Sequence, residues 1–259
     1  KWVYDSDLIA GSIQGLFAGE GEILPAELEQ AERVVNSYGG RGFGTNADHF
    51  APDYETFLND GVGGTLQKIR QSMERHAGDA GRQTFLRAAE IAMTAFGKMV
   101  RQYGEAARQK AQTALPAQRE QLLQIAVICE KLSINRPETF REALQLVWLA
   151  HTAFLYEGRY AMALGRMDQY LYPFYQRDVQ QGILTREMTL DLVSCTLYKI
   201  GETRFFGGDD VVNIAIGGVR PDGSEGINEL SYIILEAVRD CRIPGPNLSA
   251  RLHSGMPDS

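Results

Sequence analysis

A predominantly helical α/β fold is what this sequence predicts, and three features predict it. Apolar residues recur at intervals of three and four from Tyr54 through most of the chain, the period of helices with one buried face. Only two stretches have strand character, residues 211–216 and 247–252. A helical pattern over 227–240 lies between them, and strand, helix, strand is the unit that builds a parallel sheet through a right-handed crossover. Long helices therefore feed a sheet that is only begun within these residues.

Taken in order, the first fifty residues are punctuated by glycine and read as loop around one helix at 25–38. Pro25 suits the first turn of that helix and Gly39 follows its end. Asp53 is placed to cap a helix starting at Tyr54 and burying Leu58, Val62 and Leu66. A long helix is expected over 82–111, with a buried stripe running from Phe85 through Met93 and Phe96 to Tyr103. Pro116 opens the next helix and Pro137 another, the latter carrying Phe140, Leu144, Val147, Trp148 and His151 on its apolar stripe. His151 reads as a satisfied core histidine and His76 as a solvated loop residue. Residues 166–175 carry aromatics and Leu on both sides, and an apolar helix covers 188–200.

Composition narrows the function. The net charge is −7, with acids and bases interspersed and no run of Lys or Arg to track a phosphate backbone, so nucleic acid and anionic membranes are poor candidate partners. No apolar stretch is long enough to span a bilayer. Cys129, Cys195 and Cys241 are odd in number and lack metal-ligand spacing, so they read as reduced thiols of a cytoplasmic protein without a metal site. Gly-rich runs at 39–44 and 61–64 have neither the flanking strand and helix nor the Lys of a phosphate loop. The sequence begins without Met, and its final strand reads as a buried one needing neighbours on both edges; more protein is expected beyond Ser259.

Three segments carry a family resemblance. One is Arg-Pro-Glu-Thr-Phe-Arg-Glu-Ala-Leu-Gln at 136–145, followed by Gly-Arg-Met-Asp-Gln-Tyr-Leu-Tyr-Pro-Phe-Tyr at 165–175. Another is Pro-Asn-Leu-Ser-Ala-Arg-Leu-His at 246–253, and the shortest is Ala-Asp-His-Phe-Ala-Pro-Asp-Tyr at 47–54. Together they resemble the pyruvate formate-lyase domain of the glycyl radical enzymes. The resemblance implies that residues 1–259 form part of one such domain, a partial α/β barrel supplying the substrate cavity of a lyase or dehydratase. The runner-up is formate acetyltransferase activity, and a non-catalytic helical scaffold is the alternative from another class. Members of this family store a radical on a Gly of a C-terminal loop and pass it to a Cys in a second loop. Neither loop occurs here, so no catalytic residue is assigned and the fragment alone is expected to be inactive. Cys129-Glu130 mimics the Gly-Cys-x-Glu motif but lacks its Gly and sits in a helical pattern. The implied partners are a radical S-adenosylmethionine activating enzyme, a small-molecule substrate and a second copy of the chain; no cofactor is expected to bind these residues.

The candidate substrate-binding residues are His49, Arg159, Tyr160, Ser249, Arg251 and His253. His49 lies in a turn ahead of a helix, where glycerol-type relatives place a His. Arg159 and Tyr160 replace a His-Ser pair of those relatives, which argues against simple diol dehydration, and the planar fork of Arg159 suits a carboxylate. Alternation puts Ser249, Arg251 and His253 on one strand face and Leu248, Ala250 and Leu252 on the other, without saying which is interior. Arg166, Asp168 and Gln169 are read as a structural motif, with Arg166 and Asp168 close enough to pair locally.

Overall fold

The Asp53 carboxylate accepts the Thr56 N–H at 3.0 Å and starts α1 (Tyr54–Arg75). That bond to a backbone donor holds the carboxyl below its ordinary pKa. The computed structural model describes residues 1, 3–12, 30, 33–34, 37, 49–157, 159, 161–202, 212–243 and 245–256. Of the helix expected at 25–38, Gln30, Arg33, Val34 and Ser37 are helical; its remainder lies outside the described residues. Gly61 breaks α1 with a φ of 64°, and a Cβ there would lie 2.7 Å from the Arg136 backbone. The break lets the loop ahead of the central helix dock, and Gly63 donates its N–H to the Ile134 carbonyl at 2.7 Å.

The long helix, α2, runs Ala80–Ala111 with Asp79 as its cap. Its expected stripe is only half right. Val100 and Tyr103 are buried, but Phe85 is 72% exposed, because the first half of α2 projects beyond the core while Gly97, Gly104 and Ala107 seat its second half. Pro116 does open α3 (Pro116–Leu132). By contrast Pro137 precedes α4 (Phe140–Tyr156), which begins with a capping box between Thr139 and Glu142. Nearly every side chain of α4 from Glu142 to Thr152 is buried, making it the central helix of the described structure.

Three strands form one parallel sheet in the order β1 (Ala163–Gly165), β2 (Asn213–Gly217), β3 (Asn247–Arg251). The sequence showed two of them; β1 is three residues long and takes its pairing from β2. A parallel bridge from Phe50 to Met162 extends the sheet beyond β1. The 166–175 segment folds as α5 (Met167–Tyr170) and α6 (Tyr172–Gln180), split next to Pro173. Then come α7 (Arg186–Glu202) and, capped by Asn228, α8 (Glu229–Cys241), the crossover between β2 and β3. Leu164, Ile214 and Ile216 are buried with Leu197, Leu230 and Ile233 on the helix-covered face of the sheet. Contrary to expectation β3 is mostly exposed; only Leu248 packs on the core, and among the described residues β2 is its one strand partner.

Candidate active site

The register settles which face of β3 is which. Ile214 and Ile216 pair with Leu248 and Ala250, so these four point toward the helices. Ser249 and Arg251 pair with Ala215 and Gly217 and share the opposite face with Asn213 and Asn247. Among the described residues that face is open: Asn213, Asn247, Ser249 and Arg251 are all exposed, and Ala163, Ala215 and Gly217 add only small side chains or none. Polar groups on a floor of Ala and Gly leave room for a ligand against the sheet.

At the C-terminal end of the strands the chain is tightly fixed. After β2, Gly217 and Gly218 both have positive φ, 68° and 81°, and a Cβ on Gly218 would lie 2.9 Å from that of Arg251. The Arg166, Asp168 and Gln169 side chains do not pair locally; they reach across to this loop. Arg166 donates to the Gly217 carbonyl at 2.6 Å and the Val219 carbonyl at 3.2 Å. Asp168 accepts the Gly217 N–H at 2.7 Å and the Ser231 hydroxyl at 2.6 Å, and Gln169 donates to the Gly226 carbonyl at 2.6 Å. Side chains two apart on a helix do not face each other, and these sit where β1 turns into α5, against the end of β2. His253 lies past the strand end, where its Nε2 is 3.0 Å from Glu225 Oε2 while Nδ1 accepts the Gly255 N–H. Glu225 is held below its ordinary pKa first by the Ile227 N–H and then by His253.

His49 and Arg159 both lie toward the other end of the strands. His49 has a left-handed φ of 63° and donates its N–H to the Ala161 carbonyl at 2.9 Å, next to β1. Arg159 is half-buried and its N–H bonds the Phe154 carbonyl; Tyr160 lies outside the described residues. Counting residues along paired strands, the level of Ala161 and that of Arg251 are about 20 Å apart at roughly 3.3 Å per residue. One small molecule would not span both ends, so His49 and Arg159 form one group and Arg251 and His253 another, with Ser249 between.

Sequence reasoning missed a buried polar cluster around the N-terminal segment. Lys199, 1% exposed, donates to Asp7 at 2.8 Å and to the Ser12 hydroxyl at 2.9 Å. Glu202 bonds Ser12 as well, and burial raises the pKa of both Asp7 and Glu202. Along α4, Arg141, Gln145, Trp148 and Thr152 hydrogen-bond the backbone of Leu8, Ala10 and Gly11, docking the N-terminal segment on one helix face. The signal was there: Lys199 continues the stripe of Leu192 and Thr196 on an apolar helix, a position where a lysine needs a buried partner. His151 differs from expectation too. It is fully buried and stacks on Trp148 at 5.2 Å, neither ring nitrogen has a hydrogen-bond partner among the described residues, and burial pushes its pKa down to about 4. His76, expected in open solvent, is half-buried at the C-cap of α1 and contacts Arg82.

Known proteins place this arrangement. The family model described as pyruvate formate lyase-like matches residues 26–259. The chain is 34% identical to trans-4-hydroxy-L-proline dehydratase of Clostridioides difficile, over 66% of this chain and 24% of that protein. It superposes on a glycyl radical enzyme from Archaeoglobus fulgidus with a TM-score of 0.74 at 31% identity, covering 82% of this chain and 30% of that one. The glycerol-bound B12-independent glycerol dehydratase from Clostridium butyricum gives a TM-score of 0.77 at 28% identity, over 86% and 30%. The chain thus spans roughly a quarter to a third of the proteins it matches, and it belongs to the pyruvate formate lyase-like family of glycyl radical enzymes.

Proposed function

We propose that this chain forms the substrate-facing part of the barrel of an anaerobic glycyl radical lyase or dehydratase, as part of one pyruvate formate-lyase-like domain. One observation carries the reading: the sheet buries Leu164, Ile214 and Ile216 against helices on one face and offers Asn213, Ser249 and Arg251 on the other. A strand in a barrel has one inner and one outer face, and helices cover the outer one. The open face is therefore the cavity wall.

Radical chemistry needs an interior closed to water and oxygen. The loops that hold the radical do not occur in these 259 residues, so the chain alone is inactive and its role is to bind and orient. Ser249 and the two asparagines offer hydrogen bonds to hydroxyl groups of a substrate, while Arg251 at one end and Arg159 beside His49 at the other offer a fork to a carboxylate. Relatives named for dehydrating hydroxyproline and glycerol support a small hydroxyl-bearing substrate. A radical S-adenosylmethionine activating enzyme installs the radical, in the cytoplasm and on a homodimer.

Electron paramagnetic resonance of the complete protein after anaerobic activation tests the proposal. A doublet from a glycyl radical is expected; persistent silence with a competent activating enzyme would favour a scaffold that kept the fold and lost the chemistry. The cysteine loop supplies a second check, since Gly-Cys-x-Glu fits elimination and two adjacent cysteines would fit acyl transfer.

A further inference from the structure

Among the described residues, the open face of the sheet carries one charge that nothing in the chain answers. Arg251 is exposed, and neither a hydrogen bond nor an ion pair holds its guanidinium. The other positions on that face are Ala163, Asn213, Ala215, Gly217, Asn247 and Ser249, none of them acidic. Glu225, the acid of the neighbouring loop, is already committed: it accepts the Ile227 N–H at 2.8 Å and lies 3.0 Å from His253 Nε2. Arg159, toward the other end of the strands, is half-buried and already engaged. Of the two arginines, Arg251 is therefore the one whose charge is left over.

The backbone prepares a place for this side chain. A Cβ on Gly218 would lie 2.9 Å from Arg251 Cβ, 3.4 Å from its Cδ and 3.3 Å from its Nε. The stem thus lies flat along Gly218 as far as Nε, in space that only a glycine leaves. Gly217, next to it, is fixed in turn by Arg166 and Asp168. A side chain laid down in advance loses less freedom when it binds. Ser249 stands two residues earlier on the same face, about 7 Å along the strand at roughly 3.3 Å per residue. It is exposed, and its hydroxyl has no partner among the described residues.

Inside a closed barrel this face loses bulk water, and a guanidinium without an anion is then costly. We propose that the anion is the substrate's own: the enzyme takes a small hydroxy acid, with its carboxylate on the Arg251 fork and its hydroxyl toward Ser249. The fork matches two carboxylate oxygens with charge-assisted bonds, whereas a neutral diol receives only ordinary hydrogen bonds. This assignment of substrate class rests on the open face being the cavity wall, as proposed above.

Isothermal titration of the complete, unactivated enzyme with matched compounds tests it: glycerate and glycerol, lactate and propane-1,2-diol, 4-hydroxyproline and its amide. At least one carboxylate should bind saturably and about ten-fold or more tighter than its neutral counterpart. Arg251→Met should abolish that margin while leaving the affinity of the neutral compound within about two-fold. Without ligand, Arg251→Met should not lower the denaturation midpoint of the complete enzyme. A marked fall would reveal a protein carboxylate as the partner of Arg251 and overturn the assignment. Neutral compounds binding as tightly as the acids, no saturable binding of any acid, or equal weakening of both classes in Arg251→Met would overturn it too. The two levels separate: if the glycyl radical doublet forms and Ser249→Cys is shielded from a maleimide while acids hold no advantage, the substrate class alone fails. If Ser249→Cys stays reactive in the complete enzyme, the cavity wall fails and the substrate class with it.

Discussion

The two sides of the molecule use polar side chains in opposite ways. Around the N-terminal segment, Arg141, Gln145, Trp148, Thr152 and Lys199 are turned inward and bonded to backbone or to a buried acid. On the open face of the sheet, Asn213, Asn247, Ser249 and Arg251 stand exposed above alanine and glycine. Inward groups fix the chain path, because each loses its water and must keep its partner. On the proposed reading, the outward groups on the rigid sheet face the substrate. Under the proposed function, stability and recognition fall to different residues, and substitutions on the two sides should separate them.

Lys199→Met should have the largest effect. It leaves Asp7 buried without its ammonium, which costs about 3–5 kcal/mol. Adding Asp7→Leu should restore much of the loss, since replacing a whole buried pair by apolar groups is close to neutral. Chemical denaturation of the single and double variants measures both.

His151 comes next. Its folded-state pKa of about 4 lies below the ordinary 6.5, so the unfolded chain binds the extra proton between these values. Its contribution is therefore complete above pH 6.5 and lost as pH falls toward 4. Over that window the loss is about 3 kcal/mol. His151→Phe keeps the stack on Trp148 and should flatten this part of the stability–pH curve; an unchanged slope would mean that the ring is not buried neutral.

Asp168→Ala should cost about 2–3 kcal/mol, because the Gly217 N–H and the Ser231 hydroxyl lose their acceptor. Hydrogen exchange should quicken first at Gly217, at the foot of the loop that supports Arg251. At the bottom of the scale, Ser249→Ala and Arg251→Ala should change stability by less than about 0.5 kcal/mol, as exposed positions do. In the activated enzyme the same two substitutions should raise KM. A large loss of stability from either would break the division between the two sides.

Much of the fold is legible in the residues themselves. Asp53 before Tyr54 announces a capped helix, and strand, helix, strand announces a parallel pair; both stand. What escapes notice depends on partners distant in sequence. β1 is too short to alternate visibly and exists because β2 pairs with it. Phe85 continues an apolar stripe, yet periodicity cannot say whether anything lies opposite. Arg166 and Asp168 looked like local partners because spacing is all a sequence offers, whereas their acceptors and donors stand some fifty residues away at Gly217. The candidate site was half legible: alternation grouped Ser249 with Arg251, but only the burial of Ile214 and Ile216 beside them decided which face is open.

The central claim is that this open face is the inner wall of a closed barrel. Thiol labelling of Ser249→Cys and Tyr232→Cys in the complete enzyme tests it most directly, because Ser249 sits on the open face and Tyr232 is 57% exposed on α8. Both cysteines should react readily with a maleimide in the 259-residue chain, and in the complete enzyme the one at 249 should become protected while the one at 232 stays reactive. Equal reactivity of the two in the complete enzyme would contradict the account.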